Sequence, residues 1–69
     1  MQLAKNKLKE LREKAGLSQE KLAQKAGVTR QTIISIEGGK YVPSLELALK
    51  FAIIFYCKVE DIFAIDKKW

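Results

Sequence analysis

The sequence predicts an all-α fold, and three observations carry the prediction. Apolar residues recur at spacings of three and four, capping residues and glycines bracket those runs, and no strand-like alternation competes outside the last few residues. Lys5 to Ala15 sets Leu8, Leu11 and Ala15 on one side of a first helix that stops at Gly16. Ser18 then offers an N-cap hydroxyl with Glu20 in the first turn, and Leu22, Ala23 and Ala26 form the buried side of a second, two-turn helix ending at Gly27. Thr29 caps a third helix, Arg30 to Glu37, which Gly38 and Gly39 close. Pro43-Ser44 starts a fourth, Leu45 to Phe55, the most hydrophobic segment and the expected centre of the core. Val59 to Phe63 makes one further short turn, after which 64–69 can run extended.

A chain of 69 residues holds one domain, because at this size folding buries only about 60% of the unfolded surface. The domain spans 1–69, with its core over 5–63 and 64–69 as a dimerisation strand or tail. Hydrophobic residues at 48% and charged residues at 30% fit a globular chain rather than a disordered one. No apolar run approaches the roughly 18 residues of a membrane span, and the N-terminus lacks a leader pattern, so the expectation is a cytoplasmic protein without a membrane partner. The single Cys57 excludes an internal disulfide and a multi-cysteine zinc site, and is expected to be a small core residue. With no histidine and with carboxylates interleaved among lysines, neither a metal, a cofactor, a small-molecule effector site nor an enzyme's catalytic set is expected. Thirteen Lys and Arg against eight Asp and Glu leave a net charge of +5, which favours a polyanionic partner.

Between the second and third helices, Gly27 can take positive φ while Val28 points inward, giving a tight corner between two short helices. At about 100° per residue, Ile33 and Ile36 face the bundle, while Arg30, Gln31, Ile34 and Ser35 project from the other side of the third helix. Those four suit the edges of base pairs. Arg can bond guanine O6 and N7 in parallel, Gln can pair with adenine, Ser bonds either, and an aliphatic chain can touch a thymine methyl. Phosphate contacts should flank them: the free amides at the start of helix two with Gln19, and the Gly38-Gly39-Lys40-Tyr41 loop beyond helix three.

Leu17-Ser18-Gln19-Glu20-Lys21-Leu22-Ala23, Gly27-Val28-Thr29-Arg30-Gln31-Thr32-Ile33, Ile36-Glu37, Gly39-Lys40 and Pro43-Ser44-Leu45 together resemble the Cro and lambda-repressor type of helix-turn-helix domain, the XRE family. The resemblance covers roughly residues 5 to 63. It implies a compact five-helix bundle that regulates transcription as a dimer on a palindromic operator. It also implies that Arg30, Gln31 and Ser35 face bases, and that Gln19 and the loop through Lys40 hold phosphates. Beside the base-reading set Arg30, Gln31, Ile34 and Ser35, the phosphate set is then Ser18, Gln19, Thr29, Thr32, Gly39, Lys40 and Tyr41. An ion pair between Arg12 in helix one and Glu37 ending helix three is implied as well. Two positions depart from the pattern: Tyr56 stands where Gly or Asn often closes helix four, and Lys58 where a capping Ser, Thr or Asp would open helix five.

Ile53 falls on the polar stripe of helix four, and Phe63, Ile65 and Trp69 add apolar surface near the C-terminus, so these four are the expected dimer interface. The expected function is a sequence-specific double-stranded-DNA-binding regulator, a repressor acting as a homodimer through the major groove. The alternative from another class is a protein-interaction module, such as the antitoxin of a toxin-antitoxin pair.

Overall fold

Hydroxyl caps start three of the five helices in the computed structural model, which describes residues 6–65. The elements run α1 (Leu8–Lys14), α2 (Gln19–Ala26), α3 (Arg30–Glu37), α4 (Leu45–Ile54) and α5 (Val59–Ile62). Ser18, Thr29 and Ser44 each have extended backbone, and each side-chain oxygen accepts the amide three residues on, from Lys21, Thr32 and Leu47. Such a cap satisfies an amide that the helix itself leaves without a partner.

The first helix is shorter than its spacing predicts. Lys5 lies outside the described residues, and Asn6 and Lys7 precede α1, because the Asn6 amide is engaged at both ends. Its oxygen accepts the Leu8 amide at 3.1 Å, and its nitrogen donates to the Ile36 carbonyl at 2.9 Å. Ala15, expected on the buried side, is exposed just past the end of α1. The Lys7 amide donates to the Ile62 carbonyl at 2.9 Å, so the start of α1 is tied to the end of α5.

Leu8, Leu22, Ile33, Ile36, Phe51 and Ile62 are the large side chains sealed at the centre. α2 packs against both α3 and α4, α4 against α5, and α1 against α3. Val28 packs onto this core from the α2–α3 corner. Phe63 corrects an expectation: it is buried rather than facing a partner, its ring 6.4 Å from that of Phe51, because α5 folds its C-terminal end back over α4. Cys57 is half-buried against the same core, and its thiol is pushed up by burial and then by the Asp61 carboxylate.

Helix α4 ends at Ile54, with Phe55 and Tyr56 beyond it. Tyr56 takes φ 54° and thereby lets the Cys57 amide reach back to the Ala52 carbonyl at 3.0 Å. The turn thus has the shape that glycine normally closes. At α5 the missing hydroxyl cap is replaced from the other side: the Asp61 carboxylate accepts the Lys58 amide at 2.9 Å. Phe63 itself has extended backbone and Ile65 is a β-bridge residue; the rest of the expected C-terminal strand, including Trp69, lies outside the described residues.

Candidate nucleic-acid interface

Gly27 turns the chain at φ 72° between α2 and α3, and its left-handed geometry leaves Thr29 placed to cap the next helix. Along α3 the two faces differ in chemistry. Ile33 and Ile36 are fully buried, whereas Arg30 and Gln31 are exposed and Ser35 is half-buried. Ile34, expected to stand free, is half-buried, so that it offers an edge rather than a whole side chain. Thr32 is half-buried and sits at the border of the two faces.

That border forms an open notch of about 280 Å³ lined by Thr29, Gln31, Thr32, Ser35, Lys40 and Tyr41. The Thr29 and Thr32 hydroxyls are 3.0 Å apart, at the start of the helix. At its other end Gly39 takes φ 75°, and the Lys40 amide donates to the Ser35 carbonyl at 2.9 Å, folding the loop back over the last turn of α3. One cation, one phenol, three aliphatic hydroxyls and an amide therefore converge beside the exposed face of a single helix. Arg30 is not part of the notch lining; it stands exposed at the first position of α3.

The far end of α3 is locked by charge. Arg12 Nε donates to Glu37 Oε2 at 2.6 Å and its Nη2 to Oε1 at 3.3 Å, a two-point contact between side chains only 10% and 4% exposed. The remaining guanidinium nitrogen, Nη1, donates to the Leu17 carbonyl at 2.9 Å. The hydrogen bond to Glu37 raises the Arg12 pKa, against the opposing effect of burial, and the Glu37 and Glu13 charges add to the rise. The guanidinium therefore stays charged, as a buried pair requires.

Gln19 joins this network. Its Nε2 donates to Glu37 Oε1 at 3.2 Å, so the first residue of α2 is held against the last residue of α3. Half of its donating capacity is thus used inside the protein. Ser18 is exposed at the head of α2 with its oxygen accepting from the Lys21 amide at 3.1 Å, which leaves its hydroxyl proton to donate outward. Asn6 is the anchoring residue that sequence reasoning missed. It holds the Ile36 carbonyl across 30 positions, and no local pattern announces such a partner. Of the residues expected at a dimer contact, Ile53 and Ile65 are exposed and Phe63 is buried.

Comparison with known proteins gives consistent matches. The profile of a protein family described as helix-turn-helix matches residues 8–62. The chain is 56% identical over 64 residues to the Bacillus subtilis protein "Uncharacterized HTH-type transcriptional regulator YgzD", covering 93% of this chain and 97% of that one. It is 63% identical over 59 residues to "Uncharacterized HTH-type transcriptional regulator MJ0272" of Methanocaldococcus jannaschii, covering 86% and 89%. Among solved structures, the restriction-modification controller protein C.AhdI from Aeromonas hydrophila superposes with a TM-score of 0.73 at 36% identity, covering 80% of this chain and 83% of that one.

Proposed function

The chain belongs to the helix-turn-helix family, and from that premise we propose that it is a transcriptional regulator that binds double-stranded DNA in a sequence-specific way, represses by occupying a palindromic operator, and does so as a homodimer. The observation that carries this reading is the division of α3: two isoleucines sealed in the core, and Arg30 and Gln31 exposed beside a notch of hydroxyls, amide and cation.

With α3 in the major groove, Arg30 donates two parallel bonds to guanine and Gln31 pairs with adenine, while Ser35 bonds a neighbouring base and the edge of Ile34 meets a thymine methyl. Phosphates flank this contact. Thr29, Thr32, Lys40 and Tyr41, with the backbone of Gly39, hold one stretch of backbone, and Ser18 and Gln19 at the head of α2 hold another. Phosphate contacts fix the register of the helix; base contacts supply the sequence preference. Two chains related by a two-fold axis place their reading helices about 34 Å apart, one turn of the duplex. Ile53 and Ile65 are exposed apolar residues consistent with such a pairing.

Selection from a randomised duplex pool, followed by titration over a range of salt, tests the reading. The expected result is one enriched inverted repeat, bound well above random DNA and more weakly as salt rises. If no sequence is enriched at any salt, the reading fails, and stoichiometric capture of one protein without DNA would favour an interaction module instead.

A further inference from the structure

The turn that ends α3 is built to a fixed pattern. Gly39 takes φ 75°, its amide donates to the Ile36 carbonyl at 3.0 Å, and the Lys40 amide donates to the Ser35 carbonyl at 2.9 Å. These two bonds define a Schellman turn, in which a left-handed glycine reverses the chain and satisfies the last carbonyls of the helix. Lys40 and Tyr41 leave this turn exposed and line the notch beside α3, so they take their direction from it. Within the turn the Ile36 carbonyl is the shared point: besides the Gly39 amide it accepts the Asn6 side-chain nitrogen at 2.9 Å. Both of its lone pairs are occupied.

Asn6 is itself held on both sides. Its oxygen accepts the Leu8 amide at 3.1 Å, and the neighbouring Lys7 amide donates to the Ile62 carbonyl at 2.9 Å, so the side chain reaches α3 from a backbone pinned between α1 and α5. An oxygen is all that the Leu8 amide requires, and a hydroxyl supplies one to a helix amide at Ser18, Thr29 and Ser44. A side-chain amide adds a donor beside that acceptor. Here the donor spans 30 positions of sequence to the one carbonyl on which the Gly39–Lys40 turn closes. Arg12 and Gln19 grip the Glu37 carboxylate and so fix the helix, whereas Asn6 grips the backbone of the turn that follows it.

We propose that Asn6 is a positioning residue of the phosphate contact: by holding the Ile36 carbonyl it fixes the Gly39–Lys40 turn in the form that carries the Lys40 ammonium and the Tyr41 phenol to the DNA backbone. This rests on the DNA-binding reading above and adds a residue that reading does not use. Asn6 touches no DNA itself; it works through the turn. A lysine on an unfastened turn has to be ordered when it binds, whereas one on a fastened turn is ordered in advance, and that difference appears as affinity.

Asn6→Ser in the full chain keeps an oxygen for the Leu8 amide and removes the donor to Ile36. Amide hydrogen exchange, followed by NMR on the free protein, should show the Gly39 and Lys40 amides exchanging faster in the variant, with those of α2 unchanged. In titrations of the selected duplex and of a random-sequence duplex, the variant should bind both about 2–10-fold more weakly, the size of one lost hydrogen bond, with a shallower salt dependence than the native chain. Lys40→Ala should then cost less on the Asn6→Ser background than on the native one, because a residue that acts through Lys40 cannot be lost twice. Asn6→Asp, which also keeps the Leu8 acceptor, carries the comparison if Asn6→Ser fails to fold; its added charge alone would leave the cost of Lys40→Ala unchanged. Native affinity and salt dependence in Asn6→Ser, or an equal cost of Lys40→Ala on both backgrounds, would overturn the positioning role and leave the DNA-binding reading standing. Weakening confined to the selected duplex would overturn it as well, by assigning Asn6 to the base contacts. A native chain that binds neither duplex would overturn the reading and the proposal together.

Discussion

Among the described residues, Tyr56 is the one non-glycine with positive φ. An L-residue with a side chain is disfavoured there by about 1 kcal/mol or more. Tyr56→Gly should therefore stabilise the monomer by about 1 kcal/mol and raise its melting point by about 4–8 °C, measured by calorimetry on dilute protein; an unchanged midpoint would mean that the turn holds no strain. At the reading face two substitutions should separate by role. Arg30→Ala should relax the preference at one base pair of each half-site, at about 1–3 kcal/mol for the preferred sequence. Lys40→Ala should weaken matched and mismatched duplexes alike. Parallel binding isotherms on matched and singly substituted operators distinguish the two, and exchanged outcomes would reverse the assignments.

Helix α3 owes its pitch to both of its ends: the Thr29 cap and the two-point contact of Glu37 with Arg12. Removing one member of a buried pair strands the other charge, at about 3–5 kcal/mol. Arg12→Met and Glu37→Leu should each destabilise strongly in urea titrations, and the double variant should lose less than the two together; strict additivity would mean that the pair is not coupled. The same helices show what a sequence discloses. Ser18, Thr29 and Ser44 were legible because a cap acts over three residues, and Gly27 because a turn acts over one. Arg12 and Glu37 are 25 residues apart, so no spacing rule relates them and the pairing came through family resemblance. Asn6 was invisible for the same reason, having its partner carbonyl at the far end of α3. In α4 the apolar run predicts core with Ile53 the exception, because hydrophobicity does not tell which side of a helix faces inward. Leu45 and Leu49 are instead exposed, and Phe63 is buried beside the ring of Phe51.

At the scale of the whole molecule, a chain of net charge +5 meets a polyanion with a favourable long-range field that salt screens. The logarithm of the binding constant should fall linearly with the logarithm of salt concentration, and Lys40→Ala should make that slope shallower by about one for each bound chain. A slope that the variant leaves unchanged would place Lys40 off the backbone. The proposed homodimer would add a second dependence, since occupancy of a paired site falls with the square of the monomer concentration when the protein is mostly monomeric. Dilution should therefore release the operator more steeply than a single-site isotherm allows.

The side chains that hold α3 in place are not those that it presents outward. Ile33, Ile36 and Glu37 fasten the helix, while Arg30 and Gln31 stand clear of the sealed core. Exchanging the latter two leaves every fastening intact, so, if they read bases as proposed, a lineage could readdress this scaffold to a different stretch of genome without first having to rebuild it.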